Sequence, residues 1–301
     1  MKKEILLIVN PCAGKGKINK YIPDICDNLE KQGYNLEVMY TSKESNGEAI
    51  IKNYIRYIDS VIVCGGDGTL SEVINGVIES KKKINITFIP FGTTNDFAKT
   101  LKMSTNKLKL SKNLSKYRKE KIDIGSCNNR FFYYVAAFGM FTDISYTTKQ
   151  KEKNRIGKLA YIKDGFKEFR GLKKAKAYKV SIVTDNEIIK DEFIAGGVTN
   201  SISIAGIKWF KKDEISLNDG VFEVILIKKP NNFKELLRII LSIFRKKYDP
   251  KMIYYLKTQH MKMDFEEPIT WTLDGEKGET SKEFLIQNNK EKIGMLIPKI
   301  I

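Results

Sequence analysis

The sequence predicts an α/β layer on a mostly parallel sheet, followed by an antiparallel β-sandwich. Three observations carry that reading. Strand and helix patterns alternate through the first third of the chain. Strand patterns separated by turns dominate after Lys121. Three glycine-bearing turns follow directly on strands in the first part, where open α/β sheets bind ligands.

In the first part, Ile5–Val9, Leu36–Tyr40, Ser60–Val63 and Ile84–Ile89 read as short buried strands. The clearest helix is Thr69–Glu79. Its residues Leu70, Val73, Ile74, Val77 and Ile78 keep the i, i+3, i+4, i+7, i+8 spacing of one buried face. Lys102–Lys121 is lysine-rich, has few strong apolar residues and reads as a connection between domains. Beyond it, strands are predicted at Lys121–Ile124, Phe131–Phe138, Lys179–Val183, Glu187–Ala195, Val221–Ile227, Met261–Phe265, Ile269–Leu273 and Phe284–Gln287. Helical stretches interrupt them at Arg155–Phe169 and Asn232–Lys246. No internal repeat or heptad pattern is present.

With 301 residues the chain is long enough for two domains, each with its own core. The net charge of +17 comes from 53 Lys and Arg against 36 Asp and Glu. It says nothing about fold. It favours an anionic partner, or it reflects a lysine-rich proteome. No nucleic-acid-binding module accompanies the charge, so no nucleic-acid partner is expected. Cys12, Cys26, Cys64 and Cys127 form no CxxC pair, so reduced thiols in a cytosolic protein are expected. The run Ile5–Val9 is too short for a signal peptide, and Phe131–Phe141 is too short to span a bilayer. Any membrane contact is therefore expected to be peripheral.

The sharpest motif runs from Val61 through Cys64, Gly65, Gly66, Asp67, Gly68 and Thr69. It takes a strand through a three-glycine turn into a helix N-terminus, whose amides and dipole favour phosphate. Asp67 would repel a bare phosphate, so it belongs beside a magnesium ion or a lysine. Without a ligand the same segment would be a tight, capped turn. A second turn, Asn10 to Lys17, follows the first strand. It lacks the Walker-A spacing, and no GxGxxG occurs. The third turn runs from Pro90 to Ala98 and clusters hydroxyls and amides with Asp96. Alone it would be a helix N-cap. Near the C-terminus, Asp274 and Gly275 signal a hairpin turn, which accounts for the glycine but not for the carboxylates of Asp274 and Glu276.

Together these segments resemble the diacylglycerol kinase catalytic family, which includes bacterial lipid kinases and sphingosine kinases. NPxxGKG, GGDGT, GTTNDFA and LDGE occur in the family's order over nearly the whole chain. GGDGT is shared with NAD kinases and phosphofructokinases, whereas GTTNDFA is more specific. The resemblance implies an NAD kinase-like α/β nucleotide-binding domain (1–121 and 287–301) and a β-sandwich lipid-binding domain (122–286), with the active site between them. It implies ATP and magnesium. ATP would contact Asn10, Pro11, Cys12, Ala13, Gly14, Thr41, Gly66, Asp67, Gly68, Thr69, Leu70, Ser71, Glu72 and Thr93. Asp67 would organise magnesium and phosphate, and Glu276 would take the proton from the lipid hydroxyl. Asp274 would belong to the same polar network, together with Asp96 and Asp123. A second, structural magnesium would be held by the Asp219 carboxylate and the carbonyls of Ser216 and Val221, although Asn218, Asp219 and Gly220 also read as a plain turn. Lys158 or Lys163 would join the charge network, with nothing to choose between them.

The expected activity is transfer of a γ-phosphoryl group to a membrane lipid, diacylglycerol first. Phosphatidylglycerol, ceramide-like lipids and undecaprenol are the alternative acceptors. An NAD kinase would share GGDGT but needs ribose-reading motifs that are absent here. A catalytically silent regulator is at odds with intact GGDGT and LDGE. Asn232–Lys247 reads either as a helix lying in an anionic membrane interface or as one packed on the sandwich or at a subunit contact. A homodimer is expected from the resemblance alone.

Overall fold

The computed structural model describes residues 3–92, 95–101, 103–104, 106–140, 142, 175–204, 207–211 and 214–298. The α/β part comprises β1 (Lys3–Val9), α1 (Ile22–Glu30), β2 (Tyr34–Tyr40), α2 (Gly47–Tyr54), β3 (Ser60–Gly65), α3 (Asp67–Ser80), β4 (Asn85–Pro90), α4 (Asp96–Thr100) and α5 (Lys107–Ser111). There follow β5 (Arg118–Cys127), β6 (Arg130–Phe132), β7 (Val135–Gly139), β8 (Tyr178–Thr184), β9 (Ile188–Phe193), β10 (Ala195–Thr199), β11 (Ser203–Ile204), β12 (Ile207–Lys208) and β13 (Phe222–Ile227). The chain ends with α6 (Phe233–Arg245), β14 (Ile253–Thr258), β15 (His260–Leu273) and β16 (Glu276–Ile297).

Strands β2, β1, β3 and β4 lie side by side in that order and pair in parallel. The order reverses between β1 and β3, which makes the crevice at their C-terminal ends a topological switch point. Side-chain alternation divides the sheet's two faces. Leu6, Ile8, Val61 and Val63 pack with Leu70, Val73 and Ile74 of α3. Ile5, Leu7, Val9, Ile62 and Cys64 pack with Ile25 and Leu29 of α1. Strands buried on both faces read as unbroken apolar runs, which is why β1 and β3 were legible.

The sandwich half is antiparallel and has its own core, where Phe138, Val198, Val224, Trp271 and Phe284 meet. β16 joins the halves. It pairs with β15 along 276–287, and its residues Gly294–Leu296 then pair in parallel with β4. The stretch read as a connection, Lys102–Lys121, instead contains α5 and the start of β5. The single strand expected over Phe131–Phe138 is two, β6 and β7, interrupted at Tyr133 and Tyr134. Glu187–Ala195 likewise divides into β9 and β10, while the two strands expected within 261–273 are one, β15. The helix expected at Arg155–Phe169, with Lys158 and Lys163, lies outside the described residues.

α6 matches the amphipathic segment at 232–247. Asn232 caps it, its side chain accepting from the Glu235 amide at 3.0 Å. Leu236, Ile239 and Ser242 are buried, and Ile239 belongs to the core cluster that holds Trp209 and Phe210. Leu241 and Phe244 stay 44% and 54% exposed beside Lys234, Arg238 and Arg245. One face of the helix is buried, and its other face carries apolar and basic side chains that stay largely exposed.

Candidate active site

The three glycine turns meet at one edge of the parallel sheet. Asn10 donates its amide to the Cys64 carbonyl at 2.9 Å and its side-chain Nδ2 to Thr69 Oγ1 at 3.0 Å. Its Oδ1 accepts from the Cys12 amide at 3.0 Å, which tightens the first turn. Gly14, at φ +60°, adopts a backbone that favours glycine, and a methyl on it would sit 3.1 Å from the Phe91 carbonyl. The third turn closes on the second: the Phe91 and Gly92 amides both donate to the Gly65 carbonyl, at 2.6 and 3.2 Å. A methyl on Gly92 would lie 2.8 Å from Gly66 Cα, so only glycine permits this approach. Thr41 joins the same edge through its amide, 2.9 Å from the Val9 carbonyl.

α3 starts in this crevice. Gly66 is its N-cap, and no side chain caps the first turn. The amides at the start of the helix thus face the crevice with the positive end of the dipole, which suits an anionic group. The donors present fit the phosphates of a nucleotide. Thr93 lies outside the described residues, as does the side chain of Asp96.

The sandwich half brings two carboxylates to this edge. Asp274 (φ +53°) and Gly275 (φ +90°) form the two-residue turn between β15 and β16, with Leu273 paired to Glu276. The Asp274 carboxylate is buried. Its Oδ2 accepts from the Tyr133 amide and the Ser71 hydroxyl, both at 3.1 Å. Its Oδ1 accepts from the Tyr134 and Val135 amides at 2.9 and 3.0 Å. These bonds explain the break between β6 and β7, because the amides there turn to a carboxylate instead of a strand. They also tie α3 to the sandwich. Burial pushes the Asp274 carboxyl up to about 6 against the pull of these four donors. Asp274 thus ties the turn between β15 and β16 to α3 through the Ser71 hydroxyl and to the 133–135 backbone.

Glu276, one residue past the turn, is exposed in the crevice. Its Oε1 would lie 3.2 Å from a methyl on Gly68, so the carboxylate rests against the first turn of α3. The Tyr133 hydroxyl donates to the Asp67 carbonyl at 2.9 Å, and its ring meets Phe97 edge-on with centroids 4.7 Å apart. Glu72 Oε2 accepts from the Gly47 amide at 2.8 Å. Burial first, then the charges of Glu276 and Glu48, push the Glu72 carboxyl above its ordinary value.

Asp123 is not hydrogen-bonded to Asp274. It is buried near the candidate structural-metal loop, where Oδ2 accepts from the Gly220 amide and Oδ1 from the Glu291 amide, both at 2.7 Å. In that loop Asp219 is exposed, and its Oδ1 accepts from the Val221 amide at 3.2 Å. Among the described residues no group of three or more His, Cys, Asp or Glu side chains is gathered for a metal. The loop offers one carboxylate and backbone carbonyls, all hard oxygen donors that suit a partly hydrated magnesium. Two groups escaped the sequence reading. Asn200, at the end of β10, is buried with neither side-chain polar atom bonded among the described residues. Glu223 on β13 is buried beside Lys257, whose Nζ lies 2.8 Å from Oε1. Nothing local in the sequence marks either one.

Burial raises Glu223 to about 7, opposed by Lys257 and aided by Asp219. The folded chain then holds a proton that the unfolded chain releases near the ordinary value of 4.5, so stability falls as pH rises from there to about 7. At ~1.36 kcal/mol per unit, the loss is at most roughly 3–4 kcal/mol. Glu223→Gln is expected to flatten this slope when melting temperatures are compared at acidic and slightly alkaline pH. Equal slopes in both proteins would remove Glu223 as its source.

A sequence model of the diacylglycerol kinase catalytic domain matches residues 4–127. A diacylglycerol kinase of Staphylococcus carnosus (strain TM300) is 33% identical over 99% of this chain and 96% of its own length. One from Staphylococcus haemolyticus (strain JCSC1435) is 33% identical over 100% of this chain and 90% of its own. The chain belongs to the diacylglycerol kinase catalytic family. It is accordingly a lipid kinase. The crystal structure of a diacylglycerol kinase from Bacillus anthracis str. Sterne superposes on it with a TM-score of 0.74 at 20% identity, covering 98% of this chain and 97% of that one. That likeness supports the two-part fold, an NAD kinase-like α/β layer with a β-sandwich. Among the described residues no helix is long and apolar enough to cross a membrane.

Proposed function

We propose that this lipid kinase transfers the γ-phosphoryl group of ATP to a hydroxyl of a membrane lipid, diacylglycerol in the first place, giving phosphatidic acid. The observation that carries the reading is Glu276: an exposed carboxylate held against Gly68, where the α3 amides would receive phosphate. The nucleotide phosphates lie on the start of α3, between the turn at Asn10–Gly14 and the turn at Gly92, with Thr41 at the margin. Asp67 would hold magnesium, which would supply neutralisation of the phosphate charge. Glu276 takes the proton of the acceptor hydroxyl as its oxygen bonds to the γ-phosphorus and the bond to ADP breaks. Asp274 and Tyr133 fix the distance between Glu276 and the helix.

The lipid is reached at an anionic surface. The net charge of +17 and the exposed Leu241 and Phe244 among the basic residues of α6 support peripheral contact from the cytoplasmic side. Turnover of ATP with a panel of diacylglycerol, phosphatidylglycerol, ceramide and NAD tests the assignment. Diacylglycerol is expected to give the highest kcat/KM. Turnover with NAD and no lipid would overturn the reading.

A structural magnesium is assigned to Asp219, with the carbonyls of Ser216 and Val221. Magnesium is expected to raise the melting temperature of the wild-type chain and to raise that of Asp219→Ala by distinctly less. Equal rises would place the ion elsewhere.

A further inference from the structure

A second concavity lies at the opposite end of α3 from the glycine turns. The helix has 14 residues, so at ~1.5 Å per residue the two ends are about 21 Å apart. This cavity of about 320 Å³ sits between the C-terminus of α3, the start of β4, and β5 and β16. That volume falls within the roughly 300–1,000 Å³ of small-molecule sites. Its floor is aliphatic, with Val77, Ile84 and Ile293.

The wall holds six lysines and one carboxylate: Lys81, Lys82, Lys83, Lys119, Lys121 and Lys292, with Glu291. Two of the lysines have structural work. Lys82 donates to the carbonyls of Ile55, Arg56 and Ile58, at 2.6, 3.2 and 3.0 Å. Lys121 pairs with Glu291 at 3.1 Å. The other four, Lys81, Lys83, Lys119 and Lys292, are exposed, and among the described residues their ammonium groups have no ion pair or hydrogen bond. Lysines near a helix C-terminus are ordinarily explained by the dipole. That explanation reaches Lys81–Lys83 but not Lys119 on β5 or Lys292 on β16, which come from other parts of the chain to the same wall. Mutual repulsion of four unpaired cations around one concavity is relieved when an anion binds there.

We propose that this pocket binds a small, multiply charged phosphate anion, either a free oligophosphate or a phosphate headgroup. It is distinct from the nucleotide crevice, with which it shares α3 and β16. The backbone at its edge is connected further: β16 shifts register between Asn289 and Ile293, with Glu291 at φ +51°, and the Glu291 amide is held by Asp123, which also holds Gly220.

The test uses the full chain with its nucleotide crevice saturated by a non-hydrolysable ATP analogue. Tripolyphosphate is titrated by calorimetry at low salt, and phosphatidylcholine vesicles with and without phosphatidic acid are tested in parallel by sedimentation. One equivalent of tripolyphosphate is expected to bind the loaded wild-type chain, more weakly as salt rises. The triple variant Lys83→Gln, Lys119→Gln, Lys292→Gln is expected to lose at least tenfold in affinity. The charge-matched control Lys109→Gln, Lys112→Gln, Lys116→Gln should lose much less. A tenfold loss confined to vesicle binding would support the site with a lipid headgroup as its source of phosphate. Equal losses in both triple variants would overturn the proposal, as would no loss in the first variant or no binding of either probe by the loaded wild type. Unchanged ATP-analogue binding in the variant shows that it is folded. The lipid kinase assay reads separately, so failure here leaves the proposed function standing.

Discussion

Glu276→Gln is expected to lower lipid phosphorylation by about 10²–10⁴-fold, the range that a positioned general base contributes. Affinity for ATP should stay close to that of the wild type. The two results separate proton transfer from binding. Glutamine keeps the shape of the side chain, and Glu276 is exposed, so folding should not suffer. The substitution removes only a carboxylate that sits against Gly68. Single-turnover rates and nucleotide dissociation constants, measured on the same preparation, check this. A variant that retains a third or more of the wild-type turnover would rule Glu276 out as the base.

Asp274→Asn should be nearly as damaging by a different route. The turn itself tolerates asparagine, because Asn accepts the positive φ of this position as Asp does. The buried network does not. All four partners of the carboxylate donate to it: three backbone amides and the Ser71 hydroxyl. An amide group replaces one accepting oxygen with a donor, and at least one buried backbone amide loses its partner. Each such loss costs about 1–3 kcal/mol, against a total stability of roughly 5–15 kcal/mol. The turn carrying Glu276 is fixed to α3 through the same bonds. Both melting temperature and kcat are therefore expected to fall, with kcat falling further than stability alone explains at a temperature where the variant remains folded. Wild-type stability and wild-type kcat in Asp274→Asn would contradict the positioning role.

Local pattern made much of this protein readable. β1, β3 and β4 are buried on both faces and appear as apolar runs. α3 shows one apolar stripe and begins beside its glycines. The Asp274–Gly275 turn is visible as a dipeptide, and the structure adds what the turn reading left unexplained: one carboxylate faces the amides of 133–135 and the other faces the crevice. What stayed hidden depends on distant partners. The interruption at Tyr133 and Tyr134 exists because Asp274, 140 residues further on from Tyr134, draws their amides away. β14 was not foreseen because Ile253–Thr258 pairs only with β13 and alternates irregularly between buried and exposed. The family resemblance implied that Asp123 shares a polar network with Asp274, whereas its hydrogen-bond partners are the Gly220 and Glu291 amides. Asn200 and Glu223 are polar residues whose burial is decided by sheet packing, which has no signature in their neighbours.

The fate of the terminal phosphate separates lipid phosphorylation from every other use of ATP. The purified chain is incubated with magnesium, ATP labelled in the γ-phosphoryl group, and diacylglycerol dispersed in phosphatidylglycerol vesicles, and the products are separated into lipid and aqueous fractions. Label is expected in phosphatidic acid in proportion to ADP formed, and about 10²–10⁴-fold more slowly with Glu276→Gln. Label recovered only as inorganic phosphate or in an aqueous acceptor, with the lipid left unlabelled, would contradict it.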